Sequence, residues 1–159
     1  MHMKLVNGKP IKHIAKRFID RASECRGSIL LTGASGTGKT LILADYLEDK
    51  PADWHDFSGV VPVPSMLTPE TLFPAHSVAI IDVPYLDTAC QEVLLNVLRT
   101  ARRDGRRLIL SCQTAPYWLM LSQFEMLFRL KRLRDGHGIS IECHNMNLLS
   151  CRYAESLLD

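Results

Sequence analysis

Between Gly33 and Thr40 the chain reads GASGTGKT, and no other stretch restricts the fold as much. The octapeptide fits G-x-x-x-x-G-K-[ST] in full, a loop whose backbone N–H groups curl inward around phosphate oxygens. Such a loop needs one context, after a buried strand and at the start of a helix, where the helix dipole adds positive potential. Both flanks are present. Ser28 to Thr32, SILLT, is an apolar run of strand length, and Lys39 to Asp49 has a helical pattern that Pro51 stops. Gly33, Ala34, Ser35, Gly36, Thr37, Gly38, Lys39, Thr40 and Leu41 are the expected phosphate-binding segment. Lys39 is expected to reach the β- and γ-phosphates of ATP, and Thr40 to ligate Mg2+ through its hydroxyl.

A phosphate loop needs a second acid to orient magnesium, at the end of a neighbouring strand. Val78 to Ile81 is a second apolar run, and Asp82 stands at its carboxyl end, where open parallel sheets bind ligands. Many ATPases of this type carry another acid at the next position, to polarise the attacking water. Here that residue is Val83, followed by Pro84. Asp87 could reach the site only through a folded-back 83–86 loop, and Glu92 lies farther along. Bound ATP or ADP with slow or absent hydrolysis is the expectation.

The rest of the chain alternates between strand-like and helical patterns. Helices are expected over Pro10 to Cys25, Asp87 to Arg103, Leu119 to Leu130 and Leu148 to Leu158, with a further helix start at Thr68-Pro69-Glu70. Strands are expected over Ser77 to Ile81, Arg107 to Cys112 and Ile139 to Glu142. Asp53 to Val63 stays open: its valines favour a strand, while Pro62 and Pro64 demote it to an edge or a loop. Continuous apolar runs alternating with helices imply an α/β fold, a parallel sheet covered on both faces.

With 159 residues, the expectation is one domain over 1–159. No apolar run approaches the ~18 residues of a membrane span, and the N-terminus lacks a signal-peptide pattern, so a cytoplasmic protein is expected. The five cysteines form no CxxC pair and read as free thiols. His137, Cys143, His144 and Cys151 match no common zinc spacing. Trp54, Phe57, Tyr117 and Trp118 could stack on bases, but packing is the better reading.

Net charge is +2, but its distribution is uneven. Leu41 to Leu98 holds nine acidic residues against one basic, Lys50. Arg99 to Arg107 holds five arginines, and Arg129 to Arg134 three arginines and a lysine. These clusters are either solvated helix surface or contacts for DNA phosphates or an acidic partner.

The stretch VAIIDVPYLDTACQEVLLNVLRTARRDGRRLILSCQTAPYWL resembles the core of AAA+ ATPases, a three-layer P-loop NTPase fold with about five parallel strands. More closely, it is similar to the bacterial replication initiator DnaA and its shorter regulatory relative Hda. Gln91-Glu92 open the matching helix. The strand LILSCQTAP puts Gln113 at the family's polar sensor of the γ-phosphate region. Lys131-Arg132-Leu133-Arg134-Asp135-Gly136 matches S-R-[LF]-x-x-G, which implies that Arg132 is the arginine finger reaching a neighbouring subunit's nucleotide. Arg129 is a competing candidate, since a helix would set the two on adjoining faces. Ile139-Ser140-Ile141 matches the following strand, and Ser150 to Ala154 the start of the small helical lid, expected to be largely absent. The resemblance implies a role in DNA replication or its control, a replication-type protein partner, possible DNA contact through the basic clusters and nucleotide-dependent self-association. The rival resemblance is to FtsK/HerA-like translocases, including conjugation and phage-packaging ATPases, on the pattern RRDGRRLILSCQ.

Overall fold

The computed structural model describes residues 5–6, 9–134, 138–146 and 156. A short antiparallel hairpin, β1 (Leu5–Val6) and β2 (Lys9–Pro10), leads into α1 (Ile11–Ser23). There follow β3 (Ile29–Gly33), α2 (Lys39–Asp49), β4 (Asp53–Asp56), a 3-10 turn at Pro64–Leu67 and α3 (Pro69–Leu72). The second half comprises β5 (Val78–Asp82), α4 (Thr88–Arg103), β6 (Arg107–Cys112), α5 (Trp118–Leu121), β7 (Met126–Arg132) and β8 (Ile139–Asn145).

The main sheet has six strands in the order β4-β5-β6-β3-β7-β8. The first five run parallel, and β8 lies antiparallel on β7. The open segment after Pro51 thus resolves into a short edge strand; Pro62 falls in the loop beyond it, and Pro64 opens the 3-10 turn. Side chains alternate between the two faces, so each central strand feeds two cores. Leu30, Ala79, Ile81, Leu108 and Leu110 pack against α4, with Leu94, Val97 and Leu98. Ile29, Leu31, Ile80 and Ile109 pack with Phe18 of α1 and Leu43 and Tyr46 of α2. Helices on both faces explain why these strands read as unbroken apolar runs.

Caps fix the helix ends. Asp87 accepts a hydrogen bond from Cys90 N (2.8 Å) at the start of α4, and Thr68 accepts one from Thr71 N before Pro69. The Asp87 carboxyl is held below its usual range by these bonds from the Cys90 backbone and side chain. At the other end of α1, Arg107 donates to the carbonyls of Ala22 (2.8 Å), Cys25 (2.7 Å) and Gly27 (2.9 Å). One guanidinium so satisfies carbonyls that a helix end leaves open.

The expected α/β fold, a sheet of about five parallel strands with helices on both faces, is present, with β8 added as a sixth, antiparallel strand. One expectation is corrected. Leu119 to Leu130 is not one helix: α5 is a single turn, and Met126–Arg132 is a strand paired in register with β3. The apolar residues there satisfy both periods locally. The free edge of β3 decides between them, because pairing with β7 satisfies its backbone groups and buries Met126 and Phe128 on one face and Leu127 on the other. As strand residues three apart, Arg129 and Arg132 point to opposite faces. Ile139–Asn145 is the return strand against β7, with Glu142 opposite Arg129. The expected helix at Leu148 to Leu158, the lid start at Ser150 to Ala154, and Asp135, Gly136, His137 and Cys151 lie outside the described residues, apart from Ser156, which is helical. Among the described residues no helix is long and apolar enough to cross a membrane.

Cys25, Cys90, Cys112 and Cys143 are free thiols. Burial pushes the Cys90 thiol up to about 11 and that of Cys112, at the end of β6, up to about 12. At pH 8 these two should resist iodoacetamide in the folded protein and react in guanidinium, as mass spectrometry of tryptic peptides would read. Rapid native labelling of Cys112 would contradict its burial. The Phe18 ring meets Tyr46 and Phe128 edge-on, at 6.0 and 4.8 Å, joining both helices to β7. Phe18→Ala should cost about 3–5 kcal/mol of stability. Val61→Ala, at a side chain 83% exposed, should stay within about 0.5 kcal/mol. Urea denaturation compares the two, and equal midpoints would refute the packing described.

A candidate nucleotide site at the carboxyl ends of the strands

The loop after β3 is built by close approach. A Cβ on Gly33 would lie 2.7 Å from Thr37 Oγ1 and 3.0 Å from Leu130 Cβ, so only glycine lets β3 pass β7 there. Gly38, with φ 97°, turns the chain into α2 from the left-handed region. Thr37 ties the loop across itself, its Oγ1 donating to Ala34 O (2.8 Å). Lys39 is buried, and its Nζ donates to the carbonyls of Gly33 and Ala34. The ammonium thus sits inside the loop curl, where anionic oxygens would replace neutral carbonyls as partners.

Beside the loop, Thr40 Oγ1 donates to Asp82 Oδ2 (3.0 Å), across 42 positions of sequence. Asp82 is only 8% exposed. The pairing of β5 and β6 continues past their ends: Val83 N donates to Ser111 O (2.9 Å) and Gln113 N to Pro84 O (3.1 Å). That ladder holds Gln113 opposite Pro84 on the cleft wall. The cleft is about 250 Å³ and is lined by Ser35, Gly36 and Gly38 of the loop, the first turn of α2, Ser58, Asp82, Val83, Pro84 and Gln113. This is below the roughly 300–1,000 Å³ of pockets that enclose a drug-sized ligand, and is a phosphate-sized space.

The structure therefore brings Ser35, Gly36, Gly38, Lys39, Thr40, Leu41, Asp82 and Gln113 to one cleft, with Gly33, Ala34 and Thr37 forming the loop behind it. Arg132 reaches the same loop from the end of β7, where its Nη2 donates to Ser35 O (2.8 Å). The register explains the contact, since Leu130 pairs with Gly33 and Arg132 lies two residues beyond. Arg129, on the other face, forms an ion pair with Glu142 (3.9 Å). Ser58 was not anticipated; it follows β4, the segment whose sequence signals conflicted.

Val83 is buried in the core beneath the cleft. Asp87 is occupied as the α4 cap, and Glu92 lines a separate groove with Tyr117 and Leu119. Among the described residues Asp82 is the one acid lining the cleft. A hydroxyl and a carboxylate oxygen side by side, beside an ammonium, are a donor set that suits Mg2+ and phosphate: this cation takes one or two protein oxygens and fills its shell with water and phosphate. The residues present fit a magnesium nucleotide.

Among solved structures, the chain is similar to the ATPase DotB of Legionella pneumophila, at 10% identity and a TM-score of 0.61, over 89% of this chain and 53% of that one. It is also similar to the RuvB Holliday junction branch migration motor of Thermotoga maritima, at 20% identity and a TM-score of 0.53, over 79% of this chain and 47% of that one. The chain spans about half the length of either, and at these identities the likeness shows the fold, that of a P-loop NTPase. No curated protein sequence matches the chain significantly. Residues 5–131, most of the chain, match the Sigma-54 interaction domain. With the phosphate loop, Asp82 and the parallel sheet in place, the chain belongs to that family and carries an AAA+ ATPase-like domain.

Proposed function

We propose that the cleft binds ATP or ADP with Mg2+, and that the nucleotide sets the conformation of the domain rather than driving rapid work. The observation that carries this reading is Val83, buried directly after Asp82, with no second acid on the described cleft wall. Lys39 contacts the β- and γ-phosphates, Thr40 and Asp82 hold the cation, and Gln113 senses the γ-phosphate from the end of β6. When bound, Mg2+ neutralises phosphate charge. No side chain stands at Val83 to take a proton from an attacking water, so turnover is slow or absent. Arg132 is the finger in this reading, leaving Ser35 to reach a neighbouring subunit's nucleotide.

The resemblance to DnaA and Hda, carried by the 78–119 stretch and by Lys131 to Gly136, supports a cytoplasmic role in DNA replication initiation or its control. The domain would act through a replication-type protein partner and nucleotide-dependent self-association. Membership of the Sigma-54 interaction domain family makes sigma-54 the rival partner. An FtsK/HerA-like DNA motor is the alternative function.

Titration with fluorescent ATP tests the site. Lys39→Ala should weaken binding at least tenfold, since a hydrogen bond to a charged group is worth about 1.5–3 kcal/mol. Unchanged affinity would put the site elsewhere. Steady-state turnover should stay below about 1 s⁻¹, the low end of typical enzyme rates, and should not rise with DNA. Faster, DNA-stimulated turnover by a ring in solution would establish the motor instead. If Arg132 acts as a finger, Arg132→Ala subunits should lower the turnover of parent subunits mixed with them. Reduced ATP affinity of the isolated variant alone would assign Arg132 to its own subunit's nucleotide.

A further inference from the structure

A second cavity, of about 820 Å³, lies at the opposite end of the sheet, where β5 and β6 begin. Arg26, Arg102, Arg106 and Arg107 line it, with Glu125 as its one carboxylate. Glu125 is already engaged, accepting a hydrogen bond from Gly27 N (2.7 Å). Arg107 is fixed by the three carbonyls at the end of α1, and Arg106 lies over the Phe73 ring at 5.4 Å. Arg26 and Arg102 are exposed and have no ion-pair partner among the described residues. Arg99, exposed one turn earlier on α4, continues the same side of the helix toward solvent.

We propose that this cavity binds the phosphate backbone of a nucleic acid, with Arg26 and Arg102 as direct contacts and Arg99 extending the track. Arg106 and Arg107 supply a fixed positive field behind them. Guanidinium forks match phosphate oxygens in geometry as well as charge. The lining favours a nucleic acid over an acidic protein segment. Val78 is the one apolar side chain there besides the arginine stems, and Phe73 is 8% exposed beneath Arg106. A protein partner would want an open apolar or aromatic anchor. A phosphate track needs none, and with no ring to stack on, binding is independent of base sequence. Most of the other basic cluster is engaged elsewhere: Arg129 and Lys131 pair with Glu142, and Arg132 donates to Ser35 O, which leaves Arg134 exposed and without an ion-pair partner among the described residues. The proposal does not depend on how the nucleotide cleft is used.

Fluorescence anisotropy of the full chain with a labelled 30-base-pair duplex tests it. Three phosphate contacts predict an affinity loss of roughly 40-fold between 50 and 200 mM salt, at a slope of about 0.9 per contact. Arg26→Ala with Arg102→Ala should shrink that loss to roughly 3–4-fold, leaving about one contact. Arg26→Lys with Arg102→Lys should keep most of the slope. Fluorescent ATP should bind all three proteins alike, which separates this site from the cleft and reports an intact fold. No duplex binding by the parent at 50 mM salt, or a parental slope in the double alanine variant, would overturn the proposal. So would polyglutamate competing as well as DNA at equal charge, which would give the cavity to an acidic protein segment.

Discussion

The position of β3 in the sheet is the constraint on which the site depends. This strand is buried along its whole length and hydrogen-bonded on both sides, to β6 and to β7. Its register sets the height at which Gly33 leaves the sheet. That height fixes where the loop curls, where Lys39 turns back to the carbonyls of Gly33 and Ala34, and where α2 begins. The neighbouring strand β6 is in register with β5, which places Asp82 level with Ser111 and within reach of Thr40. Strand pairing, rather than any contact made by the loop alone, sets the geometry of the cleft.

The two ends of the sheet differ in electrostatic character for the same reason. At the carboxyl ends, one lysine and one buried aspartate face a small cleft. At the amino ends, four arginines gather around a larger one. The sequence cluster Arg99 to Arg107 is divided by the fold. Arg107 turns inward to close α1, Arg106 covers Phe73, and Arg103 pairs with Asp104 (3.1 Å). Arg99 and Arg102 remain directed at solvent, joined by Arg26 from a distant part of the chain. A run of like charges in sequence is thus not one surface in space.

Much of the phosphate site was legible in the sequence, because its requirements are local. GASGTGKT combines glycines, a lysine and a threonine at spacings set by backbone geometry, and the flanking strand and helix are continuous with it. Asp82 was legible because an apolar run of strand length ends on an acid. The segment from Leu119 to Leu130 was misread, because Met126 to Leu130 is apolar at both helical and strand periods. Ser58 was missed because it follows a strand whose proline-rich continuation obscured it.

The sequence by itself determined the phosphate loop, the order of most strands and helices, and the absence of an acid after Asp82. Each is a property of neighbouring residues and of short-range backbone chemistry. Only the tertiary structure decided that β7 is a strand, that β8 runs back against it, and that Arg132 meets Ser35 across 97 positions. It also decided which arginines are spent on carbonyls and which face solvent. Those outcomes depend on the unpaired edge of β3 and on helix ends left without partners, and such vacancies exist only once distant segments share one sheet.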